Sequence, residues 1–196
     1  RRSSDLAAAL GETLTGYLNT DHPVQQAITA SVSHFTGVPP AQLVRGTDGC
    51  SAPNYAVPLP ALATAFARLT LAEPDAEYGT GPQRVAQGMC SHPEMVSGRG
   101  RNDLTLAHAG RGDWVCKVGA DGVQAIASRS RGIALAAKVS DGNLKALMVA
   151  VVSVLDQLSW LDHDARTALA EFTPAAMTNA AGLEVGQMVP VVQLVH

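Results

Sequence analysis

Three short apolar segments, Asp113 to Val118, Val123 to Ser128 and Ile133 to Val139, follow one another with a tight polar turn after each. The turns are Gly119-Ala120-Asp121-Gly122, Arg129-Ser130-Arg131-Gly132 and Asp141-Gly142-Asn143. Glycine and aspartate tolerate the left-handed backbone that short hairpins demand. Strand-length runs joined by four-residue turns predict an antiparallel meander.

Helical signals flank this block. Asp21 is the expected N-cap of a helix with Pro23 in its first turn, Val24, Ile28, Val32 and Phe35 recurring at helical spacing, and Gly37 with Pro39-Pro40 closing it. Residues 43 to 58 read as a loop, rich in turn formers such as Gly46, Gly49 and Pro53. A second helix starts at Pro58 with Leu59, Leu62, Ala63, Phe66 and Leu69 on one face, and a third runs from Gln83 to about Ser91. After the meander, Leu144 to Leu161 predicts a long core helix, followed by a short helix from Asp162 to Phe172 that Pro174 stops. The valine-rich tail from Leu183 to Val192 is expected to return as a strand. Helices placed before and after an antiparallel sheet predict an α+β fold, with residues 1–196 forming a single domain or a lobe of a larger one.

Composition narrows the class of partner. The chain is 46% hydrophobic but only 4% aromatic, so its interior is built from Ala, Val and Leu, which permits close helix–sheet packing. Net charge is −3 and the lysines are Lys117, Lys138 and Lys145 alone, which leaves no basic stripe for nucleic acid. The longest apolar run, Leu144 to Leu158, carries Lys145 and Asp156 and is too short to span a bilayer, so no membrane is expected. Cys50, Cys90 and Cys116 make an odd count with no C-x-x-C pair, which points to a reduced, cytoplasmic setting. No methionine opens the chain, and a fragment or a processed product of a longer protein is the expectation.

Two places carry candidate chemistry. Asp48 and Cys50 lie two residues apart before a helix, and in an extended segment they would face one pocket. The plainer alternative is a turn aspartate and a buried cysteine. Lys117 sits near the end of an apolar strand, on the face of Val115 and Gly119, with Cys116 and Val118 on the other. Burial there would make it a candidate general base, or a charge that orients another base. The alternative is an exposed lysine on an edge strand. Its K-x-G pattern also resembles the K-T-G strand of serine β-lactamases and penicillin-binding proteins.

Other motifs are absent. The six histidines include no H-x-x-x-H pair, and His22 and His92, each before a proline, read as capping or loop residues. There is no G-x-S-x-G elbow, and Trp114, Leu135 and Gly142 stand where S-x-x-K would need serine, three residues before each lysine.

Read as ordered blocks, the chain resembles the L-asparaginase II family, the Rhizobium-type bacterial asparaginases. The blocks are Gly16-Tyr17-Leu18 with Asp21-His22-Pro23-Val24-Gln25, then Asp48-Gly49-Cys50-Ser51-Ala52-Pro53 with Pro58-Leu59, then His92 to Gly98. Lys117 to Val123, Gly132-Ile133-Ala134-Leu135, Lys138 and Asp141-Gly142 follow, and Asn179, Gly182, Val185 and Gly186 close the series. The resemblance implies a fold like class A β-lactamases and serine glutaminases, hydrolysis of L-asparagine to aspartate and ammonia, and a homodimer. It implies a pocket with two serine–lysine arrangements and a metal site, usually zinc. By matching motif, Asp48 would be a pocket carboxylate, Cys50 a metal ligand and Lys117 the partner of the second serine. Lys117 and Asp48 would then line one cavity.

Departures accompany it. The family's R-S-x-x-K, S-H-x-G and C-S-G-K-H segments are not found, which implies that a missing amino-terminal segment or a partner chain supplies the serines. Asp103 stands where the family has a cysteine, and Cys90 and Cys116 match no ligand position. Two readings stand beside the asparaginase: a catalytically incomplete homologue that binds a partner chain, and another serine–lysine amidase such as a glutaminase.

Overall fold

A computed structural model describes residues 2–173 and 175–195; Pro174, the expected helix stop, lies outside them. The chain divides into two compact units, Arg1–Ala65 and Phe66–His196.

The first unit opens with α1 (Arg2–Ala9) and α2 (Pro23–Thr36). The cap of α2 is His22, one residue after the expected Asp21: its Nδ1 accepts from Val24 N at 3.2 Å, while Nε2 donates to the Thr13 carbonyl at 3.0 Å. A histidine with a partner for each ring nitrogen is well suited to a buried start, and His22 is buried. Gly37, at φ 71°, ends the helix and donates to the Ser33 carbonyl.

Residues 43–58 are not a loop throughout. β1 (Val44–Thr47) and β2 (Pro53–Ala56) pair antiparallel, with Val44 opposite Ala56 and Thr47 opposite Pro53. The exposed strand Val-Arg-Gly-Thr has no hydrophobic alternation, so its pairing rests on backbone hydrogen bonds and on the turn between the strands. A 2.6 Å hydrogen bond between Thr29 Oγ1 and the Tyr55 hydroxyl ties β2 to α2. α3 (Leu59–Leu69) follows on its expected apolar spacing.

In the second unit α4 (Gly81–Ser91), α5 (Pro93–Ser97) and α6 (Asn102–Ala109) lead into the meander. β3 (Trp114–Gly119), β4 (Val123–Ser128) and β5 (Ile133–Lys138) pair in that order, antiparallel throughout, as the turn spacing predicts. Trp114 faces Ser128 across the first ladder and Lys117 faces Ala125. α7 (Leu144–Gln157) is capped by Asn143, whose side chain accepts from Ala146 N. It ends four residues before the expected Leu161, and the chain turns through Ser159 into α8 (His163–Ala168) and a 3-10 turn at Ala170–Phe172. β6 (Ala175–Thr178) and β7 (Glu184–Met188) form a separate two-stranded sheet, so the tail does return as a strand, but not in the meander. The whole is α+β with antiparallel sheets.

Strand alternation sorts the meander into two faces. Trp114, Cys116, Ile126 and Leu135 meet Leu147, Met148, Val151 and Leu155 of α7 and Leu106 of α6. Val115, Ala127 and Ala134 meet Phe66, and Ala86, Met89 and Cys90 of α4. Because alanine dominates the second face, α4 needs few large side chains to cover it. The Asp121-Gly122 turn joining β3 to β4 is tight: a Cβ on Gly122 (φ 77°) would stand 2.4 Å from Val139 Cγ2 and 3.0 Å from the Gly142 backbone. Leu155 is fully buried in the α7 face, and Leu155→Ala should lower stability by about 2–5 kcal/mol in a denaturant titration.

Candidate active site

Each candidate residue can be placed within its own unit. Asp48 occupies the tip of the β1–β2 hairpin, where its Oδ1 accepts from Cys50 N at 2.8 Å and Ala52 N at 2.9 Å. The two bonds let Ser51 adopt φ 64° and close the turn. Asp48 is therefore a turn aspartate, as in the plainer of the two sequence alternatives, but Cys50 is exposed rather than buried. The hairpin displays the Asp48 carboxylate and the Cys50 thiol together at an exposed tip.

Lys117 lies on β3, an outer strand of the meander, with its side chain 46% exposed. The strand alternates as expected, Val115 and Lys117 on one face and Cys116 on the other, yet the ammonium is not buried. Close to the strand end the face opens to solvent, and Nζ donates to the Val118 carbonyl at 2.6 Å. Its nearest carboxylate is Asp103, with Oδ2 at 3.9 Å.

Asp103 is the residue whose role sequence spacing did not reveal. Its side chain is 2% exposed at the start of α6. Oδ2 accepts from Val118 N at 2.9 Å, and Oδ1 accepts from Gln124 Nε2 at 2.9 Å. An outer strand leaves every second N–H without a ladder partner, and Asp103 supplies one. The same carboxylate joins β3, β4 and α6 while setting a negative charge beside Lys117. Gln124 is fully buried, and its Oε1 meets no donor among the described residues. The sequence signal for Asp103 was slight: an aspartate in the first turn of a short, unpatterned helix.

The family model for L-asparaginase II matches residues 5–190. The chain belongs to the L-asparaginase II family. It is thereby an amidohydrolase of the asparaginase type, and the match runs through Asp48, Cys50, Asp103 and Lys117. No curated protein matches the sequence.

The zinc implied by the family resemblance can be tested against the residues present. Cys50 offers one thiol on an exposed turn. Among the described residues no three His, Cys, Asp or Glu side chains gather to hold an ion. The donor set among the described residues does not fit a zinc centre. Nor is any helix among the described residues long and apolar enough to cross a membrane.

The other two cysteines serve packing. Cys116 is buried against α7, and that burial, reinforced by the Asp103 charge, pushes its thiol well above the usual range. Burial also raises the Cys90 thiol, partly offset by Arg129, and its Sγ donates to the Trp114 carbonyl at 3.5 Å. The thiolate is the reactive form. Iodoacetamide at neutral pH should therefore modify Cys50 first, giving one adduct on the native protein and three after denaturation, as read by intact mass.

Proposed function

We propose that the protein catalyses hydrolysis of the side-chain amide of L-asparagine to L-aspartate and ammonia, with Lys117 moving a proton and the nucleophilic serine carried by polypeptide outside these 196 residues. The observation that carries this reading is the family match, which spans nearly the whole chain and includes the strand bearing Lys117. A serine Oγ forms a bond to the amide carbon, and the serine proton passes to a lysine amine. The same proton is then delivered to the departing nitrogen as the C–N bond breaks, and water releases aspartate from the acyl-serine. Lys117 suits this work, in its neutral amine form, because its side chain is held along β3 with Nζ accessible, and Asp103 stands 3.9 Å away to balance the charge that Nζ gains with the serine proton. Asp48, displayed at a hairpin tip, has the charge to meet the substrate's α-amino group.

A β-lactamase-like fold is part of the proposal, supported by the antiparallel meander with helices on both faces. So is a homodimer, which sedimentation of the full protein would reveal. One observation favours the incomplete-homologue reading: no lysine here has a serine three residues before it.

Ammonia release from asparagine and from glutamine separates these readings. The full gene product should turn over asparagine faster than glutamine, and these 196 residues alone should do neither. Lys117→Ala should lower kcat/KM by about 10²–10⁴-fold with the fold retained. Turnover unchanged in Lys117→Ala would end its assigned role, and equal or greater activity on glutamine would make the protein a glutaminase.

A further inference from the structure

Beside α4, a groove of about 520 Å³ is formed by that helix and by Arg129 of the β4–β5 turn. Its size lies within the range of small-molecule sites, about 300–1,000 Å³. No apolar residue lines it. A ligand there is held by charge and hydrogen bonds, since little hydrocarbon is available to bury.

The helical period places Arg84, Gln87, Gly88 and Ser91 on one face of α4, and His92 follows at its end. Gly88 forms the floor. A Cβ there would meet nothing within 4 Å, so open space stands where any other residue would put a side chain. Glycine is disfavoured inside a helix, and no neighbouring atom requires it at this position. Beyond it, the Gln87 amide donates to Ser91 Oγ at 2.7 Å. The Ser91 hydroxyl proton itself has no acceptor among the described residues, so it is free to be donated to a ligand.

The charge of the groove has one sign. Arg84 comes from α4 and Arg129 from the turn, and neither guanidinium has a carboxylate partner among the described residues. Arg129 is steadied by the Gly112 carbonyl, which accepts from Nη1 at 3.4 Å, and it stands beside the Cys90 thiol. The rest of its five N–H donors are open. Glu94 stands 3.9 Å from His92 Nδ1, and Asp113 accepts from Ser128 and Ser130, but neither carboxylate lines the groove. This is a local excess of positive charge in a chain whose net charge is −3. Two like charges around one groove repel, and an anion between them relieves the repulsion.

The donors present select among anions. A carboxylate brings a single negative charge and two oxygens. A phosphate group brings about −1.5 to −2 charge and three acceptor oxygens, which answers two guanidiniums, a hydroxyl and the N–H of an imidazole. Guanidinium forks also match phosphate oxygens in pairs. We propose that this groove binds a phosphate group, as the free ion or on a small phosphomonoester, between Arg84 and Arg129 with the Ser91 hydroxyl as a further donor. Lys117 does not line the groove, and the site does not depend on the role given to that residue.

Calorimetric titration of the full gene product at fixed ionic strength tests this, with inorganic phosphate, glycerol phosphate and acetate as probes. One or both phosphate compounds should bind saturably, the tighter naming the source, with acetate at least about tenfold weaker. Arg84→Gln and Arg129→Gln should each weaken binding by about tenfold or more. Gly88→Glu sets a carboxylate in the groove while putting a better helix former into α4, and it should abolish binding. Circular dichroism would confirm that the three variants fold. Lys117→Ala should leave the isotherm in place. The proposal is overturned if neither phosphate compound saturates, if acetate binds as tightly, if the isotherm is unchanged in Gly88→Glu or in either arginine variant, or if it is displaced in Lys117→Ala.

Discussion

Burial of the middle strand from both sides is the constraint on which the second unit is built. Gln124 through Ser128 are at most 2% exposed, with the α7 side filled by large aliphatic residues and the α4 side by alanine. A strand covered on both faces must carry apolar or fully bonded side chains at every position. β4 meets that demand unevenly. Ile126 and the alanines pack, Ser128 bonds to Asp113, and Gln124 finds Asp103 through its nitrogen, while its oxygen has no partner among the described residues. The polar groups at the two ends of β4 thus connect the core to two different charged places, Asp103 with Lys117 at one end and Asp113 with Arg131 at the other.

Legibility in the sequence followed the strength of periodic burial. The meander, α2, α3, α4 and α7 were visible because their apolar residues repeat with the period of the element and their turns carry glycine. The β1–β2 hairpin was not, since Val-Arg-Gly-Thr buries nothing and is held by the bonds of Asp48 to the turn. α1 and α6 were also missed; the latter is only eight residues long, and its position is set by tertiary contact through Leu106 and Asp103. The end of α7 was misplaced because Leu158 and Leu161 continue the apolar count while Ser159, in a left-handed conformation, breaks the helix.

The site was legible in part for the same reason. Alternation put Lys117 on the correct face, but whether a face is covered at a given point depends on what packs there, and spacing cannot say that α4 leaves Lys117 open while α7 seals Cys116. Asp103 was noticed only as the replacement of a family cysteine. Its bonds to two strands arise from residues 15 and 21 positions away, beyond the reach of any local pattern. The pairing of Arg131 with Trp160 likewise joins segments 29 positions apart, although the tight turn that carries Arg131 was evident.

The crowding around Gly122 has an evolutionary consequence. A side chain there would collide with Val139 and Gly142, and the Val139 amide donates to the Gly122 carbonyl, so the first turn of the meander and the segment leaving the third strand are interlocked. Neither can lengthen without dislodging the other. Gly132, at the far turn, has open space where a side chain would go. Descendants of this sequence can therefore diversify by insertion at one pole of the sheet, whereas at the pole nearer Lys117 they are confined to exchanging side chains on a backbone of fixed length.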